Sequence, residues 1–398
     1  MGDKERLLAL FDAGELLRPS ADTPNLVDLA RALAGLAGAS DPPLTPAARA
    51  MREAIGPAGH YVFVMIDGLG LNLVKSRPDA SFLSSHVAMT LQSVFPSSTA
   101  PALTSLATGL WPGEHAVTAW WTYLPDRDLM TTILPFVERF TERPLGDLGV
   151  SIKEAFPCRS LRGSFAYDVA AVMPARIAYS AYTRYLGADG ASTAYQTFSD
   201  GVDVCLERIE RATTPTFLYL YYPGVDAAEH DHGPDAAPVR KQVALVEREV
   251  ARLAASLAGR ARLVLTADHG QIRVPDDHKL VLDGDDPLLA HLRCPPSGEP
   301  RVPFFHCLPG AADAFARDFR ARLGDRFLLL SIEEVEALRL FAPGHLSPQA
   351  RARIGDFVAI GLEDHALMYV PEGRALSDMD GFHGGLTPAE MLVPLVVA

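Results

Sequence analysis

Three short apolar runs constrain this chain most: YVFVMID (61–67), TFLYLYYP (216–223) and RLVLTAD (262–268). Runs of this length with so few polar residues read as strands buried on both faces, as in parallel sheets. Between the last two, VRKQVALVEREVARLAASLAG (239–259) sets Val243, Leu245, Val246, Val250 and Leu253 on one broad face, which predicts a helix. Strand, helix, strand at these lengths is a crossover unit. The expected fold is therefore α/β, with a largely parallel central sheet flanked by helices.

Other segments fill in around that frame. Residues 1–56 read as an extension of amphipathic helices broken at Pro19, Pro24, Pro42 and Pro43. LQSVF (91–95) is a further strand candidate, and from Thr99 the pattern turns helical through APALTSLATG, with Gly109 as a stop. The stretch 276–374 carries proline clusters, a helix over 311–324 and strand candidates FLLLS, FVAIG and ALMYV. It is expected to be an inserted smaller cap. The core, 57–275 and 375–398, then resumes at GFHGG and ends in the apolar tail MLVPLVV (391–397).

Composition narrows the function classes. With 398 residues, 48% hydrophobic and 21% charged, the chain can bury a large core and is not of disordered type. A formal net charge of −13 advertises no nucleic-acid or membrane surface. It leaves anionic substrates open, because bound cations can dominate a local field. Four dispersed cysteines give neither a disulfide framework nor thiolate-zinc spacing. No apolar run reaches the ~18 residues of a membrane span, and the first residues lack a signal-like apolar core. A cytoplasmic protein is expected.

Acidic and histidine residues fall where the apolar runs end: Asp67, then Asp226 with His230, then Asp268 with His269, and last His383. Open α/β sheets place ligands at the carboxyl ends of their strands. Three aspartates and three histidines offer the oxygen and nitrogen donors that Zn²⁺ accepts, and Mn²⁺ takes similar ones. Six donors exceed one tetrahedral ion and suit two divalent ions about 3.5–4 Å apart. Thr99 opens a helix, where exposed N–H groups and the macrodipole favour negative charge. Its hydroxyl is a weak nucleophile until activated, and metal coordination is one route. Each residue has a plainer role when taken singly: a turn at Asp67, an ion pair for Asp226 and His230, an N-cap at Thr99, a core histidine at His383.

Five segments in order turn the balance: VMIDGLG (64–70), FPSSTAPALTSLATGLWPGEHAV (95–117), YPGVDAAEHDHGP (222–234), TADHG (266–270) and GFHGG (381–385). The set resembles the alkaline phosphatase superfamily, most closely its type I phosphodiesterase/nucleotide pyrophosphatase-like branch. That resemblance implies an alkaline-phosphatase-like core and a small phosphate-ester or nucleotide substrate. It implies one metal on Asp67, Thr99, Asp268 and His269, and another on Asp226, His230 and His383. Thr99 would attack phosphorus and form a phospho-threonine, hydrolysed in a second step.

One position departs from the branch. Its pattern carries Asn three residues after the nucleophile, where the amide contacts phosphate; here it is Ala102. Loss of such a donor costs ~10²–10³ in rate, so a phosphomonoesterase or phosphonate hydrolase is the alternative. A non-catalytic binding protein is a further one, although none of the six ligand positions is missing. The sulfatase branch needs Cys or Ser followed by Pro and Arg two and four residues on, and neither Ser97 nor Ser98 fits. Trp111, Trp120, Trp121 and Tyr123 are either pocket or core residues, and His232, His278, Lys279, His306 and His345 are assigned no role.

Overall fold

The computed structural model describes residues 2–39, 44–187, 190–374, 376 and 378–398. Pro42, Pro43 and the expected boundary at residue 375 lie outside them. A seven-stranded sheet forms the centre, in the order Val87–Gln92, Leu392–Val397, Arg262–Thr266, His60–Ile66, Thr216–Tyr222, Asp168–Pro174, Ala191–Tyr195. The three apolar runs lie side by side in it, with His60–Ile66 parallel to both neighbours. Leu392–Val397 runs antiparallel to both strands beside it, and the other ladders of the sheet are parallel. The α/β architecture matches the expectation.

Helices cover both faces of this sheet. Ala237–Leu257 buries Val239, Val243, Val246, Val250, Leu253 and Leu257, spaced by three or four residues along one stripe. Each such side chain contributes about 1.5–3 kcal/mol relative to exposure, so a charge at Val246 would weaken the packing of the helix on the sheet. Leu26–Leu36 starts at Asn25, whose side chain accepts the Asp28 N–H, and packs against Pro46–Ile55 and Thr99–Thr108. The strand expected at 91–95 ends earlier. Its ladder is Val87–Gln92, and Ser93 leaves it to turn through Pro96, which has no N–H to give a ladder, into the Thr99 helix.

A second seven-stranded sheet is antiparallel throughout. Four of its strands, Ser297–Glu299, Val302–Phe305, Phe327–Ser331 and Phe357–Gly361, come from the stretch read as a cap. The other three, Trp121–Leu124, Leu129–Thr132 and Val137–Glu138, come from the segment read as core. Helix Asp3–Ala13 packs on this sheet too, with Asp3 accepting from Arg320 at 2.8 Å. The helical extension is thus shared between two layers. A fully buried pair, Arg301 with Glu390 at 3.2 Å, joins the second sheet to the approach to the last strand.

Candidate active site

The site forms where central strands end. Asp67 follows His60–Ile66, and Asp268 and His269 follow Arg262–Thr266. The adjacent parallel strands bring these ends together. Gly68 makes the turn at φ +76°, and its N–H donates to Asp268 Oδ1 at 3.1 Å. A Cβ there would come within 2.8 Å of Asp226 Cα and of Glu229 Oε2, so only glycine fits.

Thr99 is the first residue of helix Thr99–Thr108. Its Oγ1 lies 3.1 Å from His269 Nε2. That nitrogen is 3.5 Å from Asp67 Oδ1 and 3.6 Å from Asp268 Oδ2. Ser98 precedes the helix, but its hydroxyl makes no capping bond. Pro101 has no N–H, and the Ala102 N–H donates to the Ser98 carbonyl at 3.0 Å. The first-turn donors are therefore the N–H groups of Thr99 and Ala100. Ala102 is a buried methyl, so no side-chain amide stands at that position.

Asp226 and His230 share one face of helix Gly224–His232, with His230 Nε2 3.4 Å from Asp226 Oδ1. His230 Nδ1 donates to the Gly381 carbonyl at 2.8 Å, which leaves Nε2 free to accept. His383 Nε2 is 4.0 Å from the same Asp226 oxygen, and the His383 ring stacks on His269 at 3.9 Å. Burial first, then His269 and His230, push His383 well below the ordinary imidazole range. It stays neutral, the form that ligates. Gly384 follows at φ +112°, and a Cβ on it would meet Glu299 Cβ at 2.9 Å. Ser97 ties this loop to the start of the Thr99 helix, its Oγ donating to the Gly385 carbonyl at 2.8 Å.

All seven residues singled out from the sequence thus converge. Among the described residues, donor atoms within 4.8 Å of one another group Asp67 with Asp268 and His269, and Asp226 with His269 and His383. His269 stands between the two groups. The fit to cations is visible in what lacks a partner: Asp67 Oδ1 and Asp268 Oδ2 are buried with no hydrogen bond. Burial first, then Asp226 and Asp268, raise Asp67 well above the carboxylate range. Buried carboxylates that repel each other, set beside imidazole nitrogens, are the donor set of a divalent cation.

Four neighbours were not singled out from the sequence, although Glu229 lies within the 222–234 segment. The Tyr221 hydroxyl donates to Asp67 Oδ2 from within an apolar strand. Gln271 Nε2 donates to Asp226 Oδ1 at 2.6 Å. Its one sequence signal is its position directly after TADHG. Glu229 is buried with both carboxylate oxygens unpartnered, and burial, then Asp226 and Asp268, raise it well above its ordinary range. Glu299 reaches in from the second sheet, accepting the Trp120 N–H at 2.7 Å. Trp111 and Tyr123 are buried, while Trp120 and Trp121 are half-buried and Arg139 lies 3.8 Å over the Trp121 ring.

The comparisons with known proteins agree with this fold. The chain resembles human ectonucleotide pyrophosphatase/phosphodiesterase 5 at 16% identity, over 85% of this chain and 87% of that one, with a TM-score of 0.63. An inactive murine form of the same enzyme, with threonine replaced by alanine and in complex with AMP, aligns at 17% identity over 84% and 87%, TM-score 0.61. Phosphonoacetate hydrolase from Sinorhizobium meliloti 1021, in complex with phosphonoformate, aligns at 19% identity over 84% and 89%, TM-score 0.57. At such identities the likeness shows a shared fold. A search of the curated proteins found no match. The family profile for type I phosphodiesterase / nucleotide pyrophosphatase matches residues 61–386, and the chain belongs to that family, within the alkaline phosphatase superfamily.

Proposed function

We propose that this protein is a two-metal hydrolase of phosphate esters, acting on diesters or nucleotide pyrophosphates through a phospho-threonine at Thr99. The observation that carries this reading is the Thr99 hydroxyl at a helix N-terminus, 3.1 Å from His269 Nε2 and beside two buried, partly unpartnered carboxylates. Asp67, Thr99, Asp268 and His269 would hold one cation; Asp226, His230 and His383 would hold the other. Zn²⁺ suits the histidine-rich set, and Mn²⁺ is accepted by the same donors. Bound cations supply charge neutralisation and make the threonine hydroxyl acidic enough to react.

The chain's own residues do the rest. Thr99 Oγ1 forms the bond to phosphorus as the ester alcohol departs, and the N–H groups of Thr99 and Ala100 donate to phosphoryl oxygens. Water then cleaves the Thr99 ester and restores the hydroxyl. Tyr221 orients Asp67, and Gln271 orients Asp226. Among the described residues no helix is long and apolar enough to cross a membrane. The four cysteines are free, which fits the reducing cytoplasm.

A phosphonate or monoester substrate is the second reading, favoured by the missing side-chain amide at Ala102. A panel of aryl phosphodiester, aryl phosphomonoester and phosphonate, assayed with added Zn²⁺ or Mn²⁺ beside Thr99→Ala, separates the readings. The expected result is fastest turnover of the diester, lost in the variant while cation content is kept. Preference for the monoester or phosphonate overturns the diesterase assignment. Unchanged turnover in Thr99→Ala overturns the nucleophile.

A further inference from the structure

We propose a separate, peripheral zinc site formed by His278, Asp364 and His365. None of these residues takes part in the site described above. His278 ends the short turn Asp276–His278 and leads into strand Lys279–Leu282, while Asp364 and His365 lead into strand Ala366–Tyr369. The two strands pair in parallel with Lys279 opposite Ala366. That register brings the three side chains to the same end of a two-stranded sheet.

The donor atoms of the three lie within 4.8 Å of one another. His278 Nδ1 is 2.5 Å from Asp364 Oδ1, and the two imidazoles stack at 4.3 Å with only 9° between their planes. His365 Nδ1 lies 3.1 Å from the Leu362 carbonyl. A carbonyl only accepts, so Nδ1 is the donor there and Nε2 is the nitrogen left to face a cation. Metal-binding histidines are oriented in this way by a backbone acceptor on the far nitrogen. Asp277 and Glu363 are exposed nearby, while the two cations at hand are engaged: Lys279 pairs with Asp276 at 2.6 Å, and Arg301, which donates to the His365 carbonyl, pairs with Glu390.

Two imidazoles and a carboxylate, half-buried with solvent to complete a tetrahedron, are a donor set for Zn²⁺. Ligation at ~2.0–2.2 Å would part His278 and Asp364 by about 1 Å, which half-exposed side chains allow. The cation would clamp the segment leaving the Gln271 loop to the second layer of the molecule.

The test compares zinc content of the full-length protein with that of His278→Gln/His365→Gln, both loaded with Zn²⁺ and dialysed against metal-free buffer. The wild type is expected to keep one equivalent per chain more than the variant. Equal content overturns the site. A second measurement needs no variant: diethyl pyrocarbonate labelling of the wild type, read peptide by peptide. Zinc is expected to protect both His278 and His365, and labelling that zinc leaves unchanged overturns the proposal. Neither readout depends on phosphoester turnover, so the proposed function stands or falls separately.

Discussion

Thr99 Oγ1 and His269 Nε2 sit 3.1 Å apart, although 170 residues separate them in the chain. The contact exists because a helix start and a strand end are aimed at one point, with the carboxylates of Asp67 and Asp268 within 3.6 Å of the same nitrogen. A hydroxyl placed there can be a nucleophile or merely a first-turn residue. Two substitutions separate the roles. Thr99→Val keeps the shape and removes the oxygen, and it is expected to lower kcat by at least ~10³. Thr99→Ser keeps the oxygen and is expected to retain measurable turnover. Single-turnover assays with ³²P-labelled diester should trap label on the protein in Thr99→Ser and never in Thr99→Val.

Tyr221 is the phenol that holds Asp67 in place. Under the proposed two-metal reading Asp67 is a ligand, and partners that orient a metal ligand typically contribute about 10–100-fold to metal affinity. Tyr221→Phe removes the donor with little change in volume. Zinc affinity, read by competition with a chromophoric chelator, is expected to fall about 10–100-fold, and turnover should recover at higher Zn²⁺. An unchanged zinc affinity would mean that the phenol serves packing alone.

Gly384 tests the loop that carries His383. At φ +112°, with Glu299 Cβ 2.9 Å from where its own Cβ would lie, Gly384→Ala suffers both strain and collision. The backbone strain costs of order 1–3 kcal/mol. Gly310 is the control: it has φ +78° and nothing within 4 Å of an added Cβ. Gly310→Ala should lower the urea midpoint with turnover intact. Gly384→Ala should lower both, along with retained zinc. Equal behaviour of the two variants would separate the loop from His383.

The legible parts of this fold were those with a period or a local chemistry. Strands buried on both faces read as apolar runs, so Asp67 and Asp268 could be placed at their ends. Ala191–Tyr195 lies in the same sheet but is mostly alanine and short polar residues, and no run marks it. Asp168–Pro174 does carry an apolar run, VAAVMP, but half of it is alanine and proline rather than large β-formers. Phe327–Ser331 and Phe357–Gly361 were legible as strands of the second sheet, but its pairing was unreadable for another reason. Gly298 pairs with Trp121 across the length of the chain, and no periodicity encodes such a partner. Glu299 enters the site through that pairing, which is why its proximity to Gly384 had no sequence signal. Tyr221 lacked one too, and Gln271 had only its place after TADHG, since each acts on an aspartate rather than being part of a ligand pattern.

Glu299 gives a pH test of that long-range contact. Burial raises its carboxyl from 4.5 to about 7, opposed by the Ser98 hydroxyl and the Trp120 N–H. The folded carboxyl therefore binds its proton more tightly than the unfolded one. Between about 4.5 and 7 the folded chain carries more protons, so its stability is greatest below that window and falls as pH rises through it. A shift of two to three units corresponds to roughly 3 kcal/mol. Glu299→Gln keeps an acceptor for the Trp120 N–H but cannot titrate. Urea unfolding at pH 5 and pH 8 should show the wild type losing about 3 kcal/mol more than the variant across that interval. Other raised carboxyls, Asp67 among them, are common to both proteins and cancel in the difference. Parallel pH profiles would show that Glu299 is solvated in solution, and would loosen the second sheet from the wall of the site.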